Sequence, residues 1–185
     1  MAQDRVVFLP WTEAQCAGMK AQYENNNTDR DKTHHKRKWT IITMDTPGKP
    51  LEKLGLGVGT RLHVWGHGGV NDPTIEADDH SEEIDSAEVV RRMIAKGFKK
   101  QYLGTIVSDS CYSALGATPF AKRLARELWR NGVKASCVLG YKGSLYTMYT
   151  DETKPGGKYI HRGVVLDNGT EVKSSEAQER FFGWT

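Results

Sequence analysis

Two short stretches decide the predicted fold: Arg61-Leu-His-Val-Trp-Gly-His-Gly-Gly69 and Leu103-Gly-Thr-Ile-Val-Ser-Asp-Ser-Cys-Tyr-Ser113. Each is an apolar run that stops at a reactive side chain among small residues, His67 in the first and Cys111 in the second. In an open parallel sheet, substrates bind just beyond the carboxyl ends of the strands. Two neighbouring strands that end there would place an imidazole beside a thiol.

The rest of the chain supplies the other elements of an α/β fold. Three helices are predicted: one opened by Thr12 with Gln15 and ended by the asparagines at 25–27, one from Ser86 to Gly97, and one from Thr118 to Gly132. Strands are predicted at 5–9, 39–44, 61–66, 103–107 and 133–139, with antiparallel strands at 145–149, 159–166 and 171–173. The segment at 70–85 is predicted to be a polar loop. We therefore predict a single domain over residues 1–185, a three-layer sandwich with a mainly parallel sheet flanked by helices. Residues 1–140 form its α/β core, and residues 141–185 form an antiparallel β-flap and C-terminal tail.

Composition excludes several function classes. The net charge of +3 is mild, so it indicates neither a nucleic-acid nor a membrane partner. The chain contains no apolar run of about 18 residues and no signal-peptide pattern at its N-terminus, which favours a cytoplasmic location. Three irregularly spaced cysteines suit a reducing compartment rather than a disulfide framework.

Two segments have weaker alternative interpretations. Residues 30–38 carry seven basic or imidazole side chains and are predicted to be a solvated loop, with binding of phosphate or RNA as the alternative. The glycines at 55–59 are spaced G-x-G-x-G and precede a strand, so we predict a turn rather than a phosphate-binding loop.

His67 and Cys111 together indicate nucleophilic chemistry. A free thiol is mostly protonated at neutral pH, so a nucleophilic cysteine needs a neighbouring base. His67 is the candidate base, and it can later protonate the leaving amine. Gly68 has no Cβ, so its backbone N–H can approach a reacting carbonyl and form an oxyanion hole with the N–H of Cys111. The sequence predicts a cysteine hydrolase.

Competing assignments fit less well. A papain-like order of Cys16, His161 and Asn168 fails because Cys16 falls inside a predicted helix. His63 and His67 lie on a strand without a glutamate between them, so a zinc-protease motif is absent, and His63 is predicted to be a core histidine. His34 and its neighbour His35 lack further residues at metal-ligand spacing.

Trp65-Gly-His-Gly-Gly69 followed by Asp109-Ser-Cys-Tyr-Ser113 resembles the motifs of the caspase-like cysteine peptidases (clan CD). The Asp-Ser-Cys string resembles metacaspases and clostripain-like enzymes. The wider layout over about residues 60–170, with Ser86-Ala-Glu88 opening the intervening helix, resembles the self-cleaving cysteine protease domains of large bacterial toxins. The resemblance implies a caspase-like three-layer fold and a thiol protease with His67 as base, Cys111 as nucleophile, and Gly68 with Cys111 as oxyanion donors. It also implies self-processing and, for a toxin or effector, delivery into a host cytosol.

The two relatives imply different substrates. In the metacaspase pattern the position of Asp109 binds a basic residue, which implies cleavage of a protein or peptide after Lys or Arg. The toxin domains have no acid there and imply cleavage after an apolar residue. Further candidate substrate-binding residues are Ser110, Gly140 and Tyr141. A catalytically inactive caspase-like interaction module is the alternative from another class, and the sequence leaves the oligomeric state open.

The relatives also imply two cofactors, although the chemistry itself requires none. Metacaspases use calcium, for which the candidate ligands are Asp78, Asp79 and Asp85, with Glu82 and Glu83 beside them. The toxin domains use inositol hexakisphosphate, for which the candidate side chains are Lys142, Lys154, Lys158, Arg162 and Lys173.

Overall fold

A computed structural model describes residues 5–32, 39–54, 59–134, 137–151 and 159–184. Most of the basic segment (33–38, with His34 and His35) and most of the glycine-rich segment (55–58) lie outside the described residues. In the described ranges the elements follow in the order β1 (Arg5–Phe8), α1 (Ala17–Lys32), β2 (Trp39–Ile42), a short 3-10 helix (Pro50–Lys53), β3 (Arg61–Trp65), β4 (Thr74–Glu76), β5 (Glu83–Asp85), α2 (Ser86–Ala95), β6 (Thr105–Asp109), α3 (Phe120–Arg130), β7 (Cys137–Tyr141), β8 (Ser144–Asp151), β9 (Tyr159–Val165), β10 (Glu171–Lys173) and β11 (Gln178–Phe181).

Six of these strands form the central sheet, in the order β11-β7-β6-β3-β1-β2. All neighbours from β7 to β2 are parallel, and β11 runs antiparallel to β7 at one edge. Leu62, Val64, Ile106 and Val107 are buried, as expected for central strands covered on both faces. The fold class is therefore confirmed as mixed α/β with a mostly parallel sheet.

Helices cover both faces of this sheet. Tyr23 of α1 donates a hydrogen bond to Asp109 of β6. In contrast, Ala121 of α3 lies against Gly140 of β7, where an added Cβ would be 2.7 Å from the Ala121 Cβ. The register of β6 with β7 puts positions 109 and 140 on opposite faces, because side chains alternate along a strand. Since α2 packs beside α3, α1 covers one face and the other two helices cover the second.

The antiparallel sheet β8-β9-β10 is the predicted C-terminal addition. Val164 of β9 is fully buried in one cluster with Val107 and Leu139 of the central sheet. Positions 107 and 109 share a face, so this flap covers the same face as α1.

The first helix begins at Ala17, later than the predicted start at Thr12, so Cys16 precedes it, and the helix also ends later than predicted. The asparagines at 25–27 were predicted to end it, but α1 continues to Lys32. The side chain of Asn27 accepts a hydrogen bond from the N–H of Trp39 (2.7 Å) and donates one to the Trp39 carbonyl (3.1 Å). Asn27 therefore anchors the helix to β2 instead of stopping it.

Two strands begin later than predicted, at Thr105 and Cys137. Val133 was assigned to a strand, but it ends α3 in a Schellman motif, in which its N–H bonds the Leu128 carbonyl at 2.9 Å. Gly132 provides the left-handed residue that this motif needs, with φ of 89°. Val133 thus belongs to the C-terminal cap of α3, and β7 starts after it.

The predicted polar loop at 70–85 contains a hairpin of β4 and β5. Ile75 pairs with Ile84 across it, and both side chains are buried. The helix that follows is capped by Asp85, whose carboxylate accepts the Glu88 N–H at 2.8 Å, so Ser86 is the first helical residue and not the cap.

Strand β11 was not predicted. Its residues Gln-Glu-Arg-Phe show little alternation of polar and apolar side chains, yet they pair with β7 from Phe181 opposite Val138 to Gln178 opposite Tyr141. Residues 141–185 therefore contribute an edge strand to the central sheet as well as the flap.

In the described ranges, no helix combines the length and apolar character that crossing a bilayer requires.

Candidate active site

The strand register brings His67 and Cys111 to the same rim of the sheet. β3 and β6 are adjacent and parallel, and their last pair is Trp65 opposite Asp109. His67 and Cys111 each lie two residues beyond that pair. Both residues therefore follow the carboxyl ends of neighbouring strands, which is where α/β folds bind ligands.

Gly68, which follows His67, lies against the backbone of the Cys111 turn. A Cβ at position 68 would be 2.9 Å from the carbonyl oxygen of Cys111, 3.1 Å from the Cβ of Ser110 and 3.7 Å from the nitrogen of Cys111. In the described part of the chain, the N–H groups of Gly68 and Cys111 donate to no hydrogen-bond acceptor. Two neighbouring, unused backbone donors are what an oxyanion hole requires.

The turn that carries Cys111 is held at several points. Ser113 is buried, and its hydroxyl donates to the Ser108 carbonyl and accepts the Tyr141 N–H, both at 3.1 Å. Tyr112 has φ of 55°, in the left-handed region, and its N–H bonds a carbonyl between β7 and β8 at 2.9 Å. A non-glycine residue in such a conformation costs on the order of 1 kcal/mol and persists only where its surroundings enforce it. The position of the Cys111 backbone is therefore set before any ligand binds.

The thiol of Cys111 meets the first residues of β8. The N–H of Leu145 donates to its Sγ at 3.3 Å, and the hydroxyl oxygen of Ser144 is 3.7 Å from the sulfur. The Cys111 side chain is only partly buried. Hydrogen-bond donors around an accessible sulfur stabilise negative charge that develops on it.

The other two cysteines are placed differently. Cys16 is fully buried, its thiol donates to the Thr12 carbonyl at 3.0 Å, and burial raises its pKa to about 12. It is therefore a poor nucleophile, which argues against the papain-like order. Cys137 is the first residue of β7, at the end of the strand away from the His67/Cys111 rim, and its thiol lies 3.8 Å from the hydroxyl of Thr105.

His67 is held by the segment that follows it. Its N–H and C=O pair with the C=O and N–H of Glu76, both at 2.9 Å. Its Nε2 lies 3.3 Å from a carboxylate oxygen of Asp78, and its ring stacks on that of His80 with centroids 5.6 Å apart. The Glu76 carboxylate lies 2.9 Å from Nδ1 of His80 and raises the pKa of that imidazole. The His67 side chain is 45% exposed, so a substrate can reach it.

Asp109 has no exposed surface. Its Oδ2 accepts the hydroxyl of Tyr23 at 2.9 Å and lies 2.8 Å from Nδ1 of His63. The ring of Trp39 meets His63 edge-on at 4.7 Å, and that of Trp65 meets Tyr23 at 5.1 Å. His63, predicted as a core histidine, is thus the partner of Asp109, and a substrate cation would have to displace these groups to reach the carboxylate.

The other predicted substrate-binding residues are buried in this structure. Ser110 lies with its hydroxyl 3.1 Å from that of Ser108, and Gly140 faces α3 on the side of the sheet opposite Asp109. The hydroxyl of Tyr141 accepts a hydrogen bond from Gln178 at 3.1 Å within the core under the flap. As placed, none of the three offers a side chain to a bound substrate.

The candidate calcium ligands have separate partners. Asp78 contacts His67, Asp79 accepts hydrogen bonds from Ser81 that lower its pKa, and Asp85 caps α2. In the described ranges, no three His, Cys, Asp or Glu side chains are grouped so as to hold a metal ion. As placed in the described ranges, these three carboxylates are not grouped around one point, and calcium binding by them stays a prediction.

Three of the candidate inositol-phosphate residues fall within the described ranges, between β7 and β8 or in the flap. The ammonium of Lys142 pairs with Glu179 at 3.0 Å. Arg162 lies in β9 and Lys173 in β10, whereas Lys154 and Lys158 lie outside the described residues.

No protein-family model matches this chain, and no curated protein matches it. The assignment of a function therefore depends on the geometry of the residues themselves.

Three residues at this rim were not assigned to the His67/Cys111 pair from the sequence: Asp78, Ser144 and Leu145. Asp78 is one of seven carboxylates between positions 72 and 85, and nothing in their spacing separates it from the others. Ser144 and Leu145 follow β7, whose end was predicted at 139 but lies at Tyr141. Their positions beside the Cys111 sulfur could therefore not be derived from the sequence.

Proposed function

We propose that this protein is a cysteine peptidase with a caspase-like fold, in which His67 is the base and Cys111 the nucleophile. The observation that carries this proposal is the shared strand end of β3 and β6, with Gly68 packed against the Cys111 backbone. Three further features support the same proposal: the fixed turn around Cys111, its partly exposed sulfur, and the N–H groups of Gly68 and Cys111, which are unbonded within the described ranges.

In the proposed reaction, His67 takes the proton of the Cys111 thiol as the sulfur attacks the carbonyl carbon of the scissile peptide bond. The carbonyl oxygen becomes an oxyanion and accepts hydrogen bonds from the N–H groups of Gly68 and Cys111, each worth about 3 kcal/mol in comparable sites. When the C–N bond breaks, His67 gives its proton to the leaving amine. The resulting thioester is hydrolysed by a water that His67 deprotonates, and the proton returns to the thiol.

We further propose cleavage after Lys or Arg, with Asp109 as the counter-ion. One observation favours a second candidate, cleavage after an apolar residue. Asp109 is already bonded to Tyr23 and His63, and the surrounding surface is aromatic. Substrate preference thus depends on whether a basic side chain can replace His63 at the carboxylate.

A peptide panel that varies the residue before the cut tests these proposals, run on the wild type and on Cys111→Ala, His67→Ala and Asp109→Asn. Cys137→Ala is the matched control, because this thiol lies on β7 away from the rim. We expect cleavage to be lost in the first two variants and kept in the control, and Asp109→Asn to lose the preference for Lys or Arg.

The same panel also separates the alternatives. Cleavage only after apolar residues would select the second candidate. A folded wild type that cuts neither the panel nor itself, with or without calcium and inositol hexakisphosphate, would contradict the peptidase proposal and leave an inactive interaction module.

A further inference from the structure

We propose that Asp78 is a positioning residue that holds the imidazole of His67 with its proton on Nε2. This inference rests on the proposed function, since it assigns the residue that prepares His67 to act as a base. It concerns a side chain that the sequence offered only as a calcium ligand.

The carboxylate of Asp78 makes two contacts with different parts of the chain. One oxygen lies 3.3 Å from Nε2 of His67, and the other accepts the N–H of Gly18, in the first turn of α1, at 2.8 Å. An ionised carboxylate has no proton to donate and can only accept hydrogen bonds. Asp78 therefore faces the imidazole as an acceptor and not as a competing donor.

The backbone around Asp78 is fixed from both sides. Its N–H bonds the Gln15 carbonyl at 3.0 Å, and Glu76, two residues earlier, is paired with the backbone of His67. A Cβ at position 18 would meet the Asp78 carboxylate, so any side chain there would displace that carboxylate from its present position. The carboxylate is thus held by α1 on one side and by the His67 strand end on the other.

This arrangement decides which ring nitrogen can act as the base. A neutral imidazole has one N–H donor and one acceptor nitrogen. If Nε2–H donates to Asp78, Nδ1 keeps the lone pair that receives the thiol proton, and the same carboxylate stabilises the imidazolium formed next. In the described ranges the other titratable groups at the His67 ring are His80, which stacks on it, and Glu76, which pairs with His80.

The test compares Asp78→Ala and Asp78→Asn with the control Asp72→Ala. Asp72 lies in the same 70–85 segment but bonds Thr74 and not His67. We expect kcat to fall on the order of 10- to 100-fold in Asp78→Ala, because the base is no longer aligned, with KM changed less than about twofold. Asp78→Asn keeps an oxygen acceptor and should recover part of the loss, and the control should keep the activity of the wild type.

A second readout is independent of activity. The ¹⁵N chemical shifts of the His67 ring, measured where the imidazole is neutral, should show the Nε2–H form in the wild type and both tautomers in Asp78→Ala. Identical ring shifts in the two proteins would overturn the inference, as would equal kcat in an active enzyme. An inactive wild type with the expected shift difference would instead contradict the peptidase proposal and keep the role of Asp78.

Discussion

Replacing Gly68 with alanine tests how closely the end of the His67 strand approaches the Cys111 turn. The new methyl carbon would lie 2.9 Å from the Cys111 carbonyl oxygen, whereas ordinary carbon–oxygen contacts are about 3.3–3.6 Å. The two backbones must therefore separate by about 0.4 Å or more. The Cys111 turn cannot yield freely, because Ser113 ties it to β6 and β7.

We expect two measurable effects of Gly68→Ala. Overpacking of this size costs about 1–3 kcal/mol, which for a chain of this length lowers Tm by about 2–12 °C. Displacement of an oxyanion donor should lower kcat/KM for a peptide substrate by about 100-fold or more. Calorimetry and steady-state kinetics on the purified variant give both numbers.

The control is Gly69→Ala. The nearest atoms to a Cβ at position 69 belong to Asp72 and lie 3.7 Å away, so this methyl group fits without strain. Wild-type Tm and kcat/KM are expected for it. If Gly68→Ala also kept both values, the close approach of the two strand ends would be refuted.

Three further predictions concern the surroundings of the site. Ser113→Ala removes both ties of the Cys111 turn and should lower the free energy of unfolding by about 1–3 kcal/mol in urea; an unchanged midpoint would contradict that role. Hydrogen bonds from Arg91 and Arg92 lower the pKa of Glu88 to about 2, so the stability it contributes is present above its ordinary pKa of 4.5 and is lost as the pH falls towards 2. The unfolding free energy of Glu88→Gln should thus depend less on pH in this window, and curves of equal slope would disprove the linkage. Iodoacetamide at pH 8 should leave Cys16 unmodified in the folded protein and label it in urea, whereas labelling of the folded protein would show that this thiol is accessible.

The fold class was predictable because its signals are local. The apolar runs at 61–66 and 103–107 indicate strands, and Gly97 and Gly132 indicate helix ends, without long-range information. The predicted element bounds were wrong where a residue makes a capping or tertiary contact that its type does not indicate. Val133 caps the end of α3 instead of starting a strand, and Asn27 bonds the backbone of β2 instead of ending α1.

The site was predictable in its two reactive residues and not in their partners. His67 and Cys111 interrupt strong strand patterns, so they stand out in the sequence. The contact of Asp78 with His67 depends on the conformation of the hairpin of β4 and β5. The burial of Asp109 depends on the packing of α1, which places Tyr23 against it. Neither contact produces a periodic pattern or a fixed spacing in the sequence, because each one joins segments that only tertiary packing brings together.

The pairing of His67 with Cys111 is tested most directly by the rate at which iodoacetamide alkylates Cys111 at pH 6.5. We predict that the folded wild type reacts at this residue at least about tenfold faster than His67→Ala, because the imidazole takes the thiol proton. Equal rates in the two folded proteins would show that the imidazole and the sulfur do not act together.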